Sequence, residues 1–312
     1  MTRSFRYSQA FLLVQVAAIL VFLALPASAQ TTLDIVSPAP PKGYTGIFGG
    51  GPYYKTGSFN VEKNIAELEH SGFSEAIVWS VEVKSNGDLN FNGEFPLTSN
   101  GKYVGNKTYP KFAADMAKLK KAGLVKRVTF SIGSSNYGDW EDVRDLVNSQ
   151  GVGPKSILYK DFAALKKAIP ALDALDFDDE NSYDESTTVK FAVMVGKLGY
   201  HVLPDPYTNA SYWQSVVSAI NKKRPGTVDG VHLQDYAGGS GNDPCSSEWD
   251  FGKVPVFPGL WDKNDTPSQV HSIMSSFHSR CGISGGFMWI YDDFVGNGLA
   301  KKYAHAINTA VK

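Results

Sequence analysis

The chain has 312 residues, two cysteines and nearly cancelling charge, with 30 Lys and Arg against 31 Asp and Glu. The charges are interspersed, so no basic stripe matches a phosphate backbone and nucleic acid is excluded as a partner. Past residue 30 no apolar run reaches the roughly 20 residues that a spanning helix needs, which excludes a membrane domain.

The first segment reads as an export signal. Arg3 and Arg6 supply the positive start, Phe11 to Leu25 is apolar apart from Gln15, and Ala27-Ser28-Ala29 offers the small residues a signal peptidase accepts. The expectation is cleavage before Gln30, giving residues 1–29 as signal peptide and a secreted or periplasmic product with no membrane contact afterwards. Residues 30–42 are Pro-rich and aperiodic and read as a tether, leaving residues 43–312 as a single domain. In an oxidising compartment Cys245 and Cys281 either close one disulfide or stay as two separate buried thiols. Neither has a Cys or His at zinc spacing, so no metal is expected, and nothing points to a cofactor.

From residue 43 onward short apolar runs alternate with segments of helical period. Strands are predicted at Tyr44–Phe48, Ala76–Glu82, Arg127–Ser131, Leu172–Asp178, Tyr200–Leu203, Gly230–Gln234, Val254–Pro258 and Gly286–Ile290. Helices are predicted at Val61–His70, Lys111–Ala122, Tyr159–Ala168, Thr187–Lys197, Tyr212–Lys223, Pro267–Ser279 and Gly298–Val311. The strand–helix–strand order implies a parallel sheet, and eight such strands close a (β/α)8 TIM barrel of the α/β class. Gly49-Gly50-Gly51 follows the first strand but leads into Pro52-Tyr53-Tyr54 rather than a helix, so a dinucleotide-binding turn fails on context.

The most informative stretch is Leu172-Asp173-Ala174-Leu175-Asp176-Phe177-Asp178-Asp179-Glu180. Side chains alternate along a strand, so Asp176, Asp178 and Glu180 share one face while Leu175 and Phe177 share the other. In a barrel the apolar face meets the helices, and the carboxyls stack inside at the catalytic mouth. Stacked carboxylates repel, so at least one of them should hold a proton and be usable as a general acid. Glu180 is outermost and best placed to protonate a leaving oxygen, with Asp178 behind it and Asp176 deeper. The plain alternative is that the acids merely cap the helix starting near Thr187; the apolar strand leading into them favours catalysis.

Asp173-x-x-Asp176-x-Asp178-x-Glu180 resembles the signature of glycoside hydrolase family 18, the chitinases and endo-β-N-acetylglucosaminidases. Ser131-Ile132-Gly133-Ser134 resembles that family's third strand, Gln234-Asp235-Tyr236 its sixth, and Gly285-Gly286-Phe287-Met288-Trp289 its last. The resemblance implies a barrel and a retaining mechanism in which the substrate's own acetamide attacks. It also implies roles: Glu180 as acid and base, Asp178 orienting the acetamide, and Tyr236 hydrogen-bonding it. The partner would be an oligo- or polysaccharide containing N-acetylglucosamine, either chitin-like or the core of an N-glycan. A catalytically silent carbohydrate-binding protein is the rival from another class, and retention of the acid argues against it.

Several positions depart from the family pattern. Ala174 and Ser134 stand where it carries Gly, Asp179 stands where chitinases carry Trp or Ile, and Ile290 stands where the family's sugar-floor Trp falls. Trp289 then turns outward by alternation into the helix layer unless a bulge brings it back to floor the sugar site, and Gln234 is a further candidate for binding the substrate. Among the other aromatic residues, Trp140 and Trp261 are the candidates for stacking on a pyranose face.

Overall fold

The computed structural model describes residues 43–54, 60–135 and 137–312. The expected signal and tether lie outside the described residues. Eight parallel strands form the barrel wall: β1 (Tyr44–Gly49), β2 (Glu75–Val83), β6 (Arg127–Gly133), β7 (Leu172–Asp178), β8 (His201–Pro204), β9 (Val231–Gln234), β10 (Val256–Trp261) and β11 (Gly285–Trp289). Their ladders run β9-β10-β11-β1-β2-β6-β7-β8. These are the eight strands expected from the sequence, with ends shifted by up to three residues.

Between β2 and the next helix the chain inserts an antiparallel meander, β3 (Leu89–Phe91), β4 (Phe95–Ser99) and β5 (Lys102–Tyr103), paired onto the end of β2. The sequence reading had no counterpart for it. Its two turns are built on Asn92-Gly93 and Asn100-Gly101, all four with positive φ, the conformation that twisted hairpins need and that Asn-Gly supplies at little steric cost.

Eight helices surround the wall: α1 (Val61–Glu69), α2 (Phe112–Leu119), α3 (Asp139–Gln150), α4 (Ile157–Ala168), α5 (Glu185–Lys197), α6 (Ala210–Lys223), α7 (Pro267–Cys281) and α8 (Leu299–Ala310). Seven match expectation, and α3 is additional. It buries Trp140, Val143, Leu146 and Val147, and its first turn carries Asp139, Glu141 and Asp142, which suit the positive end of the helix dipole. Among the described residues no helix is long and apolar enough to cross a membrane.

Strand alternation sorts the core into two sides. Ile47, Ala76, Val78 and Met288 face the helix layer in the large apolar cluster, whereas their neighbours Phe48, Ile77 and Phe287 join a small cluster inside the ring with Tyr236 and Ile290. Cys245 and Cys281 are joined by a disulfide with a Cα–Cα distance of 5.4 Å, fastening the loop after β9 to the end of α7.

The ring has one junction without a ladder among these strands, between β8 and β9. Among the described residues, Val202 N–H donates across it to Thr227 O (2.8 Å), beside an isolated parallel bridge between Val202 and Val228, and Gln234 N–H donates to Pro206 O (2.9 Å) at the other end. Side chains stitch the rest. At the site end the Asn242 amide donates to both Tyr207 O (2.9 Å) and Gln234 O (2.8 Å). At the other end Asp229 receives both guanidinium arms of Arg127 and lies 3.2 Å from His201 Nδ1.

Candidate active site

At the C-terminal end of the strands a cleft of about 310 Å3 is lined by Asp178, Glu180, Gln234, Tyr236, Trp261 and Trp289, with Ser134, Ser135, Tyr207, Ala237 and Gly238 completing the wall. Its size falls at the small end of ligand sites. Two larger hollows lie elsewhere. One of about 740 Å3 runs between α7 and α8, and one of about 420 Å3 adjoins the disulfide; neither contains the carboxyl column.

The column stands as alternation dictates. Asp176 is fully buried: Oδ2 accepts from Ser131 Oγ (2.6 Å) and Oδ1 lies 2.6 Å from His232 Nδ1. The other imidazole nitrogen, Nε2, lies 2.6 Å from the Tyr44 hydroxyl, so the column continues inward as Asp176–His232–Tyr44. Asp178 sits above, its Oδ1 accepting from Gln234 Nε2 (3.2 Å), and Glu180 lines the same cleft two residues on. Burial pushes Asp178 well above the ordinary carboxylate range, and the charges of Glu180 and Asp176 push the same way. Tyr236 is raised by burial and by the surrounding carboxylates, so its hydroxyl stays a donor.

Asp173, the first acid of the motif, serves the fold. It pairs with Lys120 Nζ (2.8 Å) and accepts from Val128 N–H (2.9 Å) at the far end of β7. Asp179, which stands where chitinases carry Trp or Ile, is buried and accepts three backbone N–H groups, from Asn181 (3.1 Å), Ser182 (2.8 Å) and Tyr183 (2.9 Å). That carboxylate fixes the turn that presents Glu180. The triple glycine after β1 is also structural: Asp292 accepts from Gly50 N–H and Gly51 N–H, both at 2.8 Å, and a Cβ on Gly50 would lie 2.4 Å from Trp79 O.

Trp289 resolves in favour of the cleft. Phe287 points into the ring, and Trp289, two residues on, shares its face; it lies beside Tyr236, Phe48 and Trp79. The outward alternative counted register from the family's pattern instead of from Phe287. Trp261, paired with Trp289 across β10 and β11, also reaches the cleft. Trp140 does not, and that expectation is corrected: its indole N–H donates to Ile132 O (3.1 Å), and its ring packs on Phe177 and Phe191 behind the barrel wall. The strand face of β7 that carries Phe177 is the apolar one, so α3 draws Trp140 into the helix layer.

Two residues absent from the sequence expectation complete the interior. One is His232, which shares the face of Gln234 on β9. The other is Asp205, just past β8, which is 2% exposed, with Oδ1 lacking any hydrogen-bond partner. Among the described residues no group of three or more His, Cys, Asp or Glu is arranged to hold a metal ion.

A barrel whose fourth strand lifts an acid over two stacked aspartates has the fold of the family 18 chitinases, and solved structures of that kind align along most of its length. A class V chitinase mutant from Cycas revoluta in complex with (GlcNAc)3 aligns with a TM-score of 0.59 at 12% identity, covering 85% of this chain and 99% of that one. A class V chitinase mutant from Nicotiana tobaccum in complex with NAG4 gives 0.56 at 9%, covering 85% and 98%. A chitinase-like agglutinin from Robinia pseudoacacia gives 0.55 at 11%, covering 84% and 98%. No family model and no curated protein sequence matches the chain.

Proposed function

We propose that this protein is a retaining glycoside hydrolase of chitinase type, cleaving β-linked N-acetylglucosamine glycans with the substrate's own acetamide as nucleophile. The observation that carries the reading is Glu180 at the cleft beside a buried Asp178, with Tyr236 and Trp289 lining the same hollow. Solved chitinases of this fold that hold N-acetylglucosamine oligomers support the substrate class.

In this reading Glu180 gives its proton to the glycosidic oxygen as the bond from that oxygen to C1 breaks. The acetamide carbonyl oxygen bonds to C1, forming an oxazolinium. Asp178 and Tyr236 orient the acetamide and stabilise the charge it acquires, and Gln234 holds Asp178 in place. Water then attacks C1 as the bond from C1 to the acetamide oxygen breaks and the acetamide is restored; Glu180 takes the water's proton, so the enzyme ends as it began. Trp289 lies under the sugar and Trp261 at the rim. The expected export signal and the disulfide fit action outside the cytoplasm.

Glu180→Gln keeps shape and removes the acid. The expected result is loss of turnover on chitin oligomers by two or more orders of magnitude, with oligomer binding retained. Undiminished turnover overturns the mechanism. Binding without turnover in the unaltered protein favours the carbohydrate-binding alternative, for which the Robinia agglutinin is the structural precedent. Mass analysis of products from chitin oligomers and from a high-mannose glycoprotein separates chitinase action from cleavage at N-glycan cores.

A further inference from the structure

β7 and β8 are paired in parallel with Asp176 beside Leu203 and Phe177 beside Pro204. Continuing that register sets Asp178 beside Asp205, and Asp205 N–H donates to Phe177 O (2.9 Å), as the continuation requires. Laterally paired residues of neighbouring strands point to the same side of a sheet about 4.8 Å apart. Asp205 therefore stands level with Asp178 inside the ring. Gln234 Nε2 bridges the two positions, donating to Asp178 Oδ1 and to the Asp205 carbonyl, both at 3.2 Å.

The surroundings of Asp205 are acidic on every side that carries charge. Asp176, Asp178 and Glu180 face it from β7 and the turn beyond, and the Tyr236 hydroxyl faces it from the end of β9. His232, behind Asp176, is already engaged by that carboxylate and Tyr44. Two carboxyls side by side, with an imidazole as the nearby basic group and that group already engaged, cannot both ionise at ordinary pH.

We infer that Asp205 is a positioning residue for the hydrolytic site: with Asp178 it holds one proton in common, so that the pair carries a single negative charge with which Asp178 accepts the N–H of the substrate's acetamide. The inference rests on the glycosidase reading above. Burial, and then the charges of Asp176, Asp178 and Glu180, push Asp205 well above the ordinary carboxylate range, in agreement with the geometry. Its unpartnered Oδ1 is also what a proton-sharing oxygen needs, because nothing else in the described protein competes for it.

The test is the full-length variant Asp205→Asn. Loss of the paired carboxyl should move the alkaline limb of the kcat profile to lower pH by at least about one unit, from the repulsion of two charges at this separation. KM at the optimum should change less than threefold. A profile superimposable on that of the unaltered protein overturns the inference, since a merely structural aspartate would alter expression and melting temperature but not the limb. A second measurement requires neither turnover nor a folded variant. Infrared spectra of the unaltered protein labelled with 13C-aspartate should show a protonated carboxyl carbonyl band persisting to pH 8, and its absence overturns the inference too. Should the unaltered protein fail to cleave any glycan while the band is present, the glycosidase reading fails and the carboxyl pairing stands.

Discussion

The indole of Trp289 lies nearly parallel to the phenol ring of Tyr236, with centroids 5.9 Å apart and planes inclined by 17°. One ring contributes a flat apolar surface and the other a hydroxyl, so together they present the two chemistries a pyranose displays. Trp289→Ala should weaken oligosaccharide binding by roughly 1–3 kcal/mol, or about 5- to 150-fold, as for loss of a buried aromatic contact. Calorimetry with chitin oligomers reads this directly, and a change below twofold contradicts the placement of the ring under a sugar.

His232 is the inner support of the carboxyl column. His232→Leu removes the partner of Asp176 Oδ1 and leaves a buried oxygen unpaired, at a cost of about 1–3 kcal/mol in stability. Turnover should fall with it, whereas His232→Asn, which keeps a donor near Asp176, should recover part of the stability. Equal melting temperatures for the two variants would show that the imidazole contributes packing alone.

Asp139 offers a pH test away from the cleft. It is 4% exposed and accepts Val83 N–H at 2.7 Å; burial, opposed by that hydrogen bond, pushes its carboxyl up to about 7. Between about pH 4 and pH 7 the folded chain thus holds a proton that the unfolded chain has released, so folding stability declines as pH rises through that window. Urea unfolding should give a smaller free energy at pH 8 than at pH 5. Asp139→Asn should reduce that difference by on the order of 2 kcal/mol, and an unaltered difference refutes the assignment.

The disulfide closes a loop of 36 residues. On the chain-entropy account such a closure contributes about 4 kcal/mol, so Cys245→Ser with Cys281→Ser should lower the unfolding free energy by roughly that amount. Activity on soluble oligomers should survive, because the bridge does not line the cleft that holds Asp178 and Glu180. Denaturant titration of the double variant measures the first, and initial rates the second.

What the sequence made legible was whatever depends on period. Alternation along residues 172–178 aimed the acids inward before any fold was known, and the same rule counted from Phe287 would have aimed Trp289 correctly. The two Asn-Gly turns of the β3–β5 meander are equally readable signals, but two of the three strands they join have three residues or fewer, too short to show a period. The helix α3 was hidden by its charge, since only its apolar positions 140, 143, 146 and 147 betray it. Asp205 was not accessible to such arguments. It lies between Pro204 and Pro206, where the chain reads as a turn, and its direction follows only from the pairing of β8 with β7.

The gap in the ladder between β8 and β9 falls beside the cleft that holds the carboxyl column. Asp205 follows one bank, Gln234 and Tyr236 lie on the other, and Asn242 and Asp229 act as rivets at either end of the slit. A ring sewn shut by amides and carboxylates can breathe along that line while the other seven junctions stay locked by their backbone bonds. Amides flanking the slit are therefore the ones that deuterium should enter first, and a bound oligosaccharide, spanning both banks, should slow that entry.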